Sequence, residues 1–390
     1  MTLTFALDAF TYRELGSPLR STATVTHATP TMIDRRRLLA LAAGAPILAL
    51  GRTTAAHAPP AGTFSIAPGQ EFAANSYVHQ KLPADAPIDR HSASYVIELD
   101  RQVRTYSRGM VCVLAGEAPV YIVGPNQPTC KVVATSGDER APILQARMMA
   151  VPIPDPNNFV VQDPGDDHAA TIYQPSTKTL WEFWIMQKTG AQTTDSAGNV
   201  VDEWGCRWGG RMDNIDQNPG WWGSAAHPPS VGFTFGTSGS GLPLIAGYIT
   251  VNDVVHKGRI EHPIHMVVYG TLAGHWSLPA QSTDGGDTSW SSFPDGAWFR
   301  LDPTLTDDDL ASIASSELWR QILIAVRDYG MIVRDKGGGV GVYAENPANP
   351  AYGGVNPYLP VSPDSRAFCT TWGVNFPFDK LLTLKLNLQP

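Results

Sequence analysis

The chain has 390 residues, enough to bury a sizeable core, and only 16% of them are charged, while 36 Gly and 32 Pro supply many turns. That balance suits short strands joined by turns and excludes a disordered or coiled-coil protein. The net charge is -8, and no Lys/Arg cluster follows the N-terminal region, so a phosphate-backbone partner lacks its electrostatic footprint and nucleic acid is excluded.

The N-terminal region carries three signals in order. Arg35-Arg36 lies within Asp34-Arg35-Arg36-Arg37-Leu38-Leu39, and an apolar run over residues 38–50 follows, too short to span a bilayer as a permanent helix. Ala56-His57-Ala58 is then a small-x-small cleavage site ahead of Pro59-Pro60. Together they predict an N-terminal extension and twin-arginine signal peptide over residues 1–58, the signal itself spanning 32–58, with Met1 or Met32 as the start. The mature protein is expected to be residues 59–390, a single domain that is secreted or periplasmic with no stable membrane span.

Residues 59–100 read as an extended, Pro-rich strap. Short apolar runs at 111–114, 120–123 and 131–134 alternate with turn residues, the all-β pattern. Cys112 and Cys130 flank the first two runs and are either a disulfide or two buried thiols. A hairpin follows, with strands over 168–174 and 180–188 around Pro175-Ser176-Thr177-Lys178-Thr179. Residues 204–240 form a long loop rich in Gly and Trp, of the kind that is usually functional. Strands resume at 245–251 and 262–269. A helix capped by Ser315 or Ser316 carries Leu318, Ile322, Ala325, Val326 and Tyr329 at helical spacing and stops at Gly330. Residues 331–334 return to strand. The expected fold is an all-β sandwich or jelly roll, concanavalin-like, with one or two peripheral helices.

Strand alternation places Leu180, Glu182 and Trp184 on one face and Trp181, Phe183 and Ile185 on the other. A carboxylate beside an indole on a sheet groove matches sugar-cleaving sandwiches, where the indole stacks on a pyranose and the acid transfers a proton. The alternative is a solvent-facing Glu182 paired with a base. If the turn pairs Gln174 with Leu180, His168 falls on the Glu182 face, about 13 Å along the strand. Asp166 and His168 then orient each other, bind a cation or close a turn. His262 is the better of the two histidines in Glu261-His262-Pro263-Ile264-His265, as a proton shuttle or a structural histidine. Trp204, Trp208, Arg211, Asp213 and Trp221 suit stacking on sugar rings and gripping hydroxyls, or a Trp-rich mini-core. Gly236-Thr237-Ser238-Gly239-Ser240 lacks the strand–helix context of a nucleophile elbow. No HExxH, CxxC or phosphate-cradling loop occurs, so neither metal nor cofactor is expected.

Gly165-Asp166-Asp167-His168, Leu180-Trp181-Glu182-Phe183-Trp184, Gly241-Leu242-Pro243-Leu244 and Gly258-Arg259-Ile260-Glu261-His262 together resemble a widespread group of exported bacterial proteins. Those carry a GD-x-H turn, an aromatic-Glu-aromatic strand and a GLP…G-x-I-x-H segment. The resemblance covers most of the mature chain and implies Asp166, His168, Glu182 and His262 as the matching positions; Asp167 stands where a basic residue is expected. It implies no particular reaction. The residues themselves point to an exported enzyme that cleaves a polysaccharide, as a glycoside hydrolase using Glu182 and a second carboxylate, Asp166 or Asp213. A lyase acting on a uronate polymer, with His168 or Tyr173 as base and Arg211 or Arg207 on the carboxylate, is the close variant. A non-catalytic sugar-binding protein is the third reading.

Overall fold

The computed structural model describes residues 72–389 apart from 108, 115–116, 138–139, 162–166, 223–234, 363–370 and 374–375. The signal peptide expected at 32–58 lies outside the described residues, as does Asp166.

In chain order the elements are α1 (Ser92–Tyr106), β1 (Val111–Leu114), β2 (Val120–Ile122), β3 (Val132–Ala134), α2 (Ala141–Arg147), β4 (Ala170–Gln174), β5 (Thr179–Thr194) and β6 (Val200–Met212). After a single-turn π-helix (Asn252–Lys257) come β7 (Ile264–Val268), β8 (Trp276–Ser277), β9 (Trp298–Leu301), α3 (Asp307–Ile313) and α4 (Glu317–Asp328). The chain ends with β10 (Met331–Lys336), β11 (Gly341–Tyr343), β12 (Thr371–Gly373), β13 (Leu381–Thr383) and β14 (Leu388–Gln389). A seven-stranded sheet has the order β12-β1-β11-β7-β10-β9-β13 and a five-stranded sheet the order β2-β4-β5-β6-β3. Both are mixed, and the fold is a sandwich-like all-β architecture with helices at its periphery, as the sequence pattern leads one to expect.

The seven-stranded sheet has two unlike faces. Ile264, Met266, Val268, Met331, Val333 and Val342 point to one side, where they pack against Leu318, Ile322 and Val326 of α4 and Leu99 and Val103 of α1. His265, Val267 and Tyr343 alternate to the other side; Val267 and Tyr343 there join the core of the five-stranded sheet, to which Tyr173 and Leu180 also belong. The layer between the sheets is therefore the place where polar side chains of both meet.

Several elements differ from the sequence expectation. The strap contains α1, whose Tyr95, Leu99 and Val103 recur every four residues along one buried stripe. The expected loop over 204–240 begins only after Met212, because β6 runs through Trp204 and Trp208 as the long partner of β5. The expected strand over 245–251 makes only one isolated bridge, Ile249 to Ala344, before the π-helix. The helix at Ser316 forms as expected: its hydroxyl caps Trp319 N–H. Cys112 is disulfide-bonded, whereas Cys130 is a free buried thiol, so those two do not pair; Cys206 is also free and Cys369 lies outside the described residues.

The hairpin register is shifted by one residue. Gln174 pairs with Thr179, so Thr171, not Ile172, stands opposite Glu182 and Ala170 opposite Phe183. The turn is four residues long, with Lys178 in the left-handed region at φ 50. A one-residue slip moves every β4 side chain to the other face. Tyr173 and Thr171 thus share the Glu182 face, while His168 leaves it and sits before the strand with φ 46.

Candidate functional site

Glu182 lies on β5, the central strand of the five-stranded sheet, and is fully buried. Its Oε2 accepts from Trp222 Nε1 at 3.2 Å and its Oε1 from the Ile245 N–H at 3.3 Å. Glycines make that approach possible. A Cβ on Gly210, the β6 residue opposite Glu182, would meet the Trp222 ring at 2.7 Å, and one on Gly236 would meet Trp222 Nε1 at 2.1 Å. Burial pushes the Glu182 carboxyl up to about 7, the Arg334 charge and the two donors offsetting part of the rise.

Arg334 comes from the facing sheet. It follows Val333 by ordinary alternation onto the inter-sheet side; the register of β10 on β7 then shifts, so that Arg334 is the extra residue of a bulge and Asp335 stands opposite Val267. Arg334 is 1% exposed. Its guanidinium carbon lies 4.0 Å from the Tyr343 ring centre and its Nη2 lies 3.6 Å from Glu117, beyond hydrogen-bond reach. None of its three side-chain nitrogens has a hydrogen-bond partner among the described residues. Asp335 beside it is half-buried, and desolvation of its carboxyl pushes it up to about 7, the Arg334 charge opposing the rise.

His265 completes the group from β7. Its Nε2 lies 3.2 Å from the Tyr77 hydroxyl, which also donates to the Gly220 carbonyl at 3.2 Å. The two rings stack at 6.5 Å. Gly247 lies against the imidazole; a Cβ there would meet it at 2.1 Å. Burial, then the Arg334 charge, push the His265 pKa well below its usual value, and burial raises the Tyr77 phenol. The imidazole is thus neutral and the phenol protonated. Glu182, Arg334, Tyr77, His265, Tyr248 and Tyr343 form one electrostatically linked cluster between the sheets. At its border, Tyr77 is half-buried and the Glu117 side chain is 14% exposed.

The other expected site residues lie elsewhere or are committed otherwise. His262 precedes β7, and its Nδ1 donates to the Pro263 carbonyl at 2.8 Å while Nε2 faces Asp253 at 3.4 Å. Asp253 sits in the π-helix and also accepts from Thr250 Oγ1 at 2.5 Å, so this is a second, separate buried network. Trp184 shares the Glu182 face but its Nε1 donates to Asp167 at 2.7 Å. Trp204 is a core residue that donates to the Pro156 carbonyl and meets Phe159 edge-on. Trp208 stacks on Phe235 beneath Arg140. Arg211 pairs with Trp181 on the face away from Glu182 and holds Asp213 at 2.8 Å; Asp213 also faces Arg147. Trp221 is half-buried, its N–H bound by Asn218, and Tyr173 is buried on the Glu182 face. The Ser238 hydroxyl donates to the Leu242 carbonyl at 2.7 Å and lies 3.3 Å from the Ser240 hydroxyl. No group of three or more His, Cys, Asp or Glu among the described residues could hold a metal ion.

No family model matches the chain, and no curated protein or solved structure matches it either. No helix among the described residues is long and apolar enough to cross a membrane.

Proposed function

We propose that this chain is an exported carbohydrate-active enzyme that cleaves a polysaccharide by proton transfer, with Glu182 as the proton donor. The observation that carries this reading is the Glu182 carboxyl: sealed on a central strand, gripped by an indole and a backbone N–H, and pushed up to about 7 by burial. An acid whose pKa lies near neutrality is the form general-acid catalysis requires. The disulfide at Cys112 supports an oxidising compartment, in keeping with the twin-arginine signal.

Two reaction types use such an acid. Hydrolysis needs a second carboxylate across the scissile bond. Asp213 is engaged by two arginines on the opposite face, and Asp166 lies outside the described residues. Elimination needs instead a neutral base and a protonated donor. The Tyr77–His265 pair supports that second reading, since the imidazole is held neutral beside a phenol that keeps its proton. A product assay on neutral and uronic polysaccharides tests both, with Glu182→Gln as control. New reducing ends without ultraviolet absorbance, lost in the variant, support hydrolysis; an absorbing unsaturated product supports elimination. No product from any polymer, with sugar binding intact, would replace the enzyme by a sugar-binding protein.

A further inference from the structure

We infer that Arg334 is the receptor for a sugar carboxylate, so that the glycan bound at this cluster is built of uronate units. The inference rests on reading the cluster as the active site and names its substrate class.

Arg334 is held where a guanidinium is costly. An ion taken out of water without partners costs several kcal/mol, which is why buried charges are normally paired and hydrogen-bonded. Here three buried nitrogens lack an acceptor among the described residues, and the Glu117 carboxylate stops at 3.6 Å. Tyr343 covers one side at 4.0 Å, which supports the cation without using its N–H groups. Alternation after Val333 places this side chain in the inter-sheet layer, and the bulge that follows brings Asp335 opposite Val267 on the same side. Its N–H groups therefore remain available to an acceptor in the layer, within electrostatic reach of Glu182 and Tyr77.

The chemistry of that acceptor follows from shape and charge. A guanidinium is a planar fork that matches the two oxygens of a carboxylate in parallel. Glu117 and Asp335 already lie in the field of this one cation, so an acceptor with a single negative charge meets less repulsion than a phosphate dianion. A carboxylate bound here also lies within the electrostatic reach of Glu182 and of the Tyr77–His265 pair, the groups that transfer protons in the proposed reaction.

The test uses the full chain and four probes: D-glucuronate, D-galacturonate, D-glucose and glucose 6-sulfate. Binding is read by isothermal titration and by the rise in thermal midpoint. At least one uronate is expected to bind, with glucose about tenfold to a hundredfold weaker, the loss that removal of a charge-assisted hydrogen-bond pair produces. Arg334→Lys keeps the charge without the fork and is expected to lose most of that preference; Arg334→Met removes it altogether. Equal binding of glucose and uronates, a preference for the sulfate, or an Arg334→Lys variant with unchanged uronate affinity overturns the inference. Glu182→Gln separates this inference from the reading beneath it. Uronates that bind through Arg334 while no polymer is cleaved leave the receptor standing and remove the enzyme. Cleavage of a neutral polymer that needs Glu182 but proceeds unchanged in Arg334→Lys keeps the enzyme and removes the receptor.

Discussion

Replacing Glu182 with Gln separates its chemistry from its place in the fold. The carboxyl is raised from 4.5 to about 7, so between those values the folded chain holds a proton that the unfolded chain has released. Stability then falls as pH rises through that window, and the full span corresponds to about 3 kcal/mol. Gln cannot ionise, so the variant is expected to lose that slope. It meets a different cost, because its NH2 group cannot accept from either Trp222 Nε1 or the Ile245 N–H, and one of the two is left unpaired for about 1–3 kcal/mol. At pH 5 the variant should therefore be less stable than the parent, and at pH 8 nearly equal or more stable. Denaturant unfolding of both proteins at a series of pH values reads the difference directly. His265 works in the opposite sense, since its lowered pKa makes acid destabilising, but it is common to both proteins and cancels in the comparison. Turnover should drop about a hundredfold to ten-thousandfold, the contribution of a positioned acid. Parallel stability profiles for the two proteins would refute the assignment of a neutral-range acid to Glu182, and full activity in the variant would refute its role as proton donor.

Further expectations follow from the same cluster and its supports. Gly247→Ala puts a methyl within 2.1 Å of the His265 ring, so it should displace the imidazole from Tyr77 and lower both activity and thermal midpoint; an unchanged midpoint would mean that the ring has room. Asp295 is buried with its carboxyl pushed up to about 8 by burial, the hydroxyls of Thr283 and Thr271 opposing the rise and Asp284 and Asp335 adding to it. Asp295→Asn should raise stability at pH 8 relative to the parent and do so much less at pH 5, as urea midpoints would show. Cys112→Ser, or reduction of the parent, should cost about 2–4 kcal/mol, whereas Cys130→Ser should leave the response to reductant unchanged.

Much of the fold was legible because its signals are local. The strand at Val111–Leu114 and the helix starting after Ser316 follow from apolar runs, period and a capping hydroxyl, none of which needs a distant partner. Helix α1 carried the same kind of signal in Tyr95, Leu99 and Val103, hidden by the Pro-rich stretch before it. Strand β6 was obscured by its glycines. Gly209 and Gly210 read as loop residues, yet they are required within the strand: a Cβ on Gly209 would meet the Glu182 carbonyl at 2.3 Å, and one on Gly210 would meet Trp222. A glycine inside a strand marks the close approach of another group, and that signal was available beside the aromatic-Glu-aromatic strand opposite.

The site was less legible, because its members are brought together by two features that composition does not encode. The first is hairpin register. Glu182 was identified, but a four-residue turn instead of a five-residue one changes which β4 side chains stand beside it and removes His168 from its face. The second is the bulge at Arg334, after which Asp335 takes the place opposite Val267 and turns to the same side as Arg334. His265 and Tyr77 are 188 residues apart in the chain and meet only because β7 packs beside the leading segment. Of the two histidines, sequence favoured His262, which faces Asp253 in its own network, while His265 points into the inter-sheet layer with the opposite alternation. The register slip brings Thr171 and Tyr173 onto the Glu182 face, and the bulge turns Asp335 inward beside Arg334. Glu182 itself keeps the face that alternation assigns it, and its carboxyl sits near neutrality because that face is buried against Trp222 and the Ile245 backbone instead of opening onto a groove.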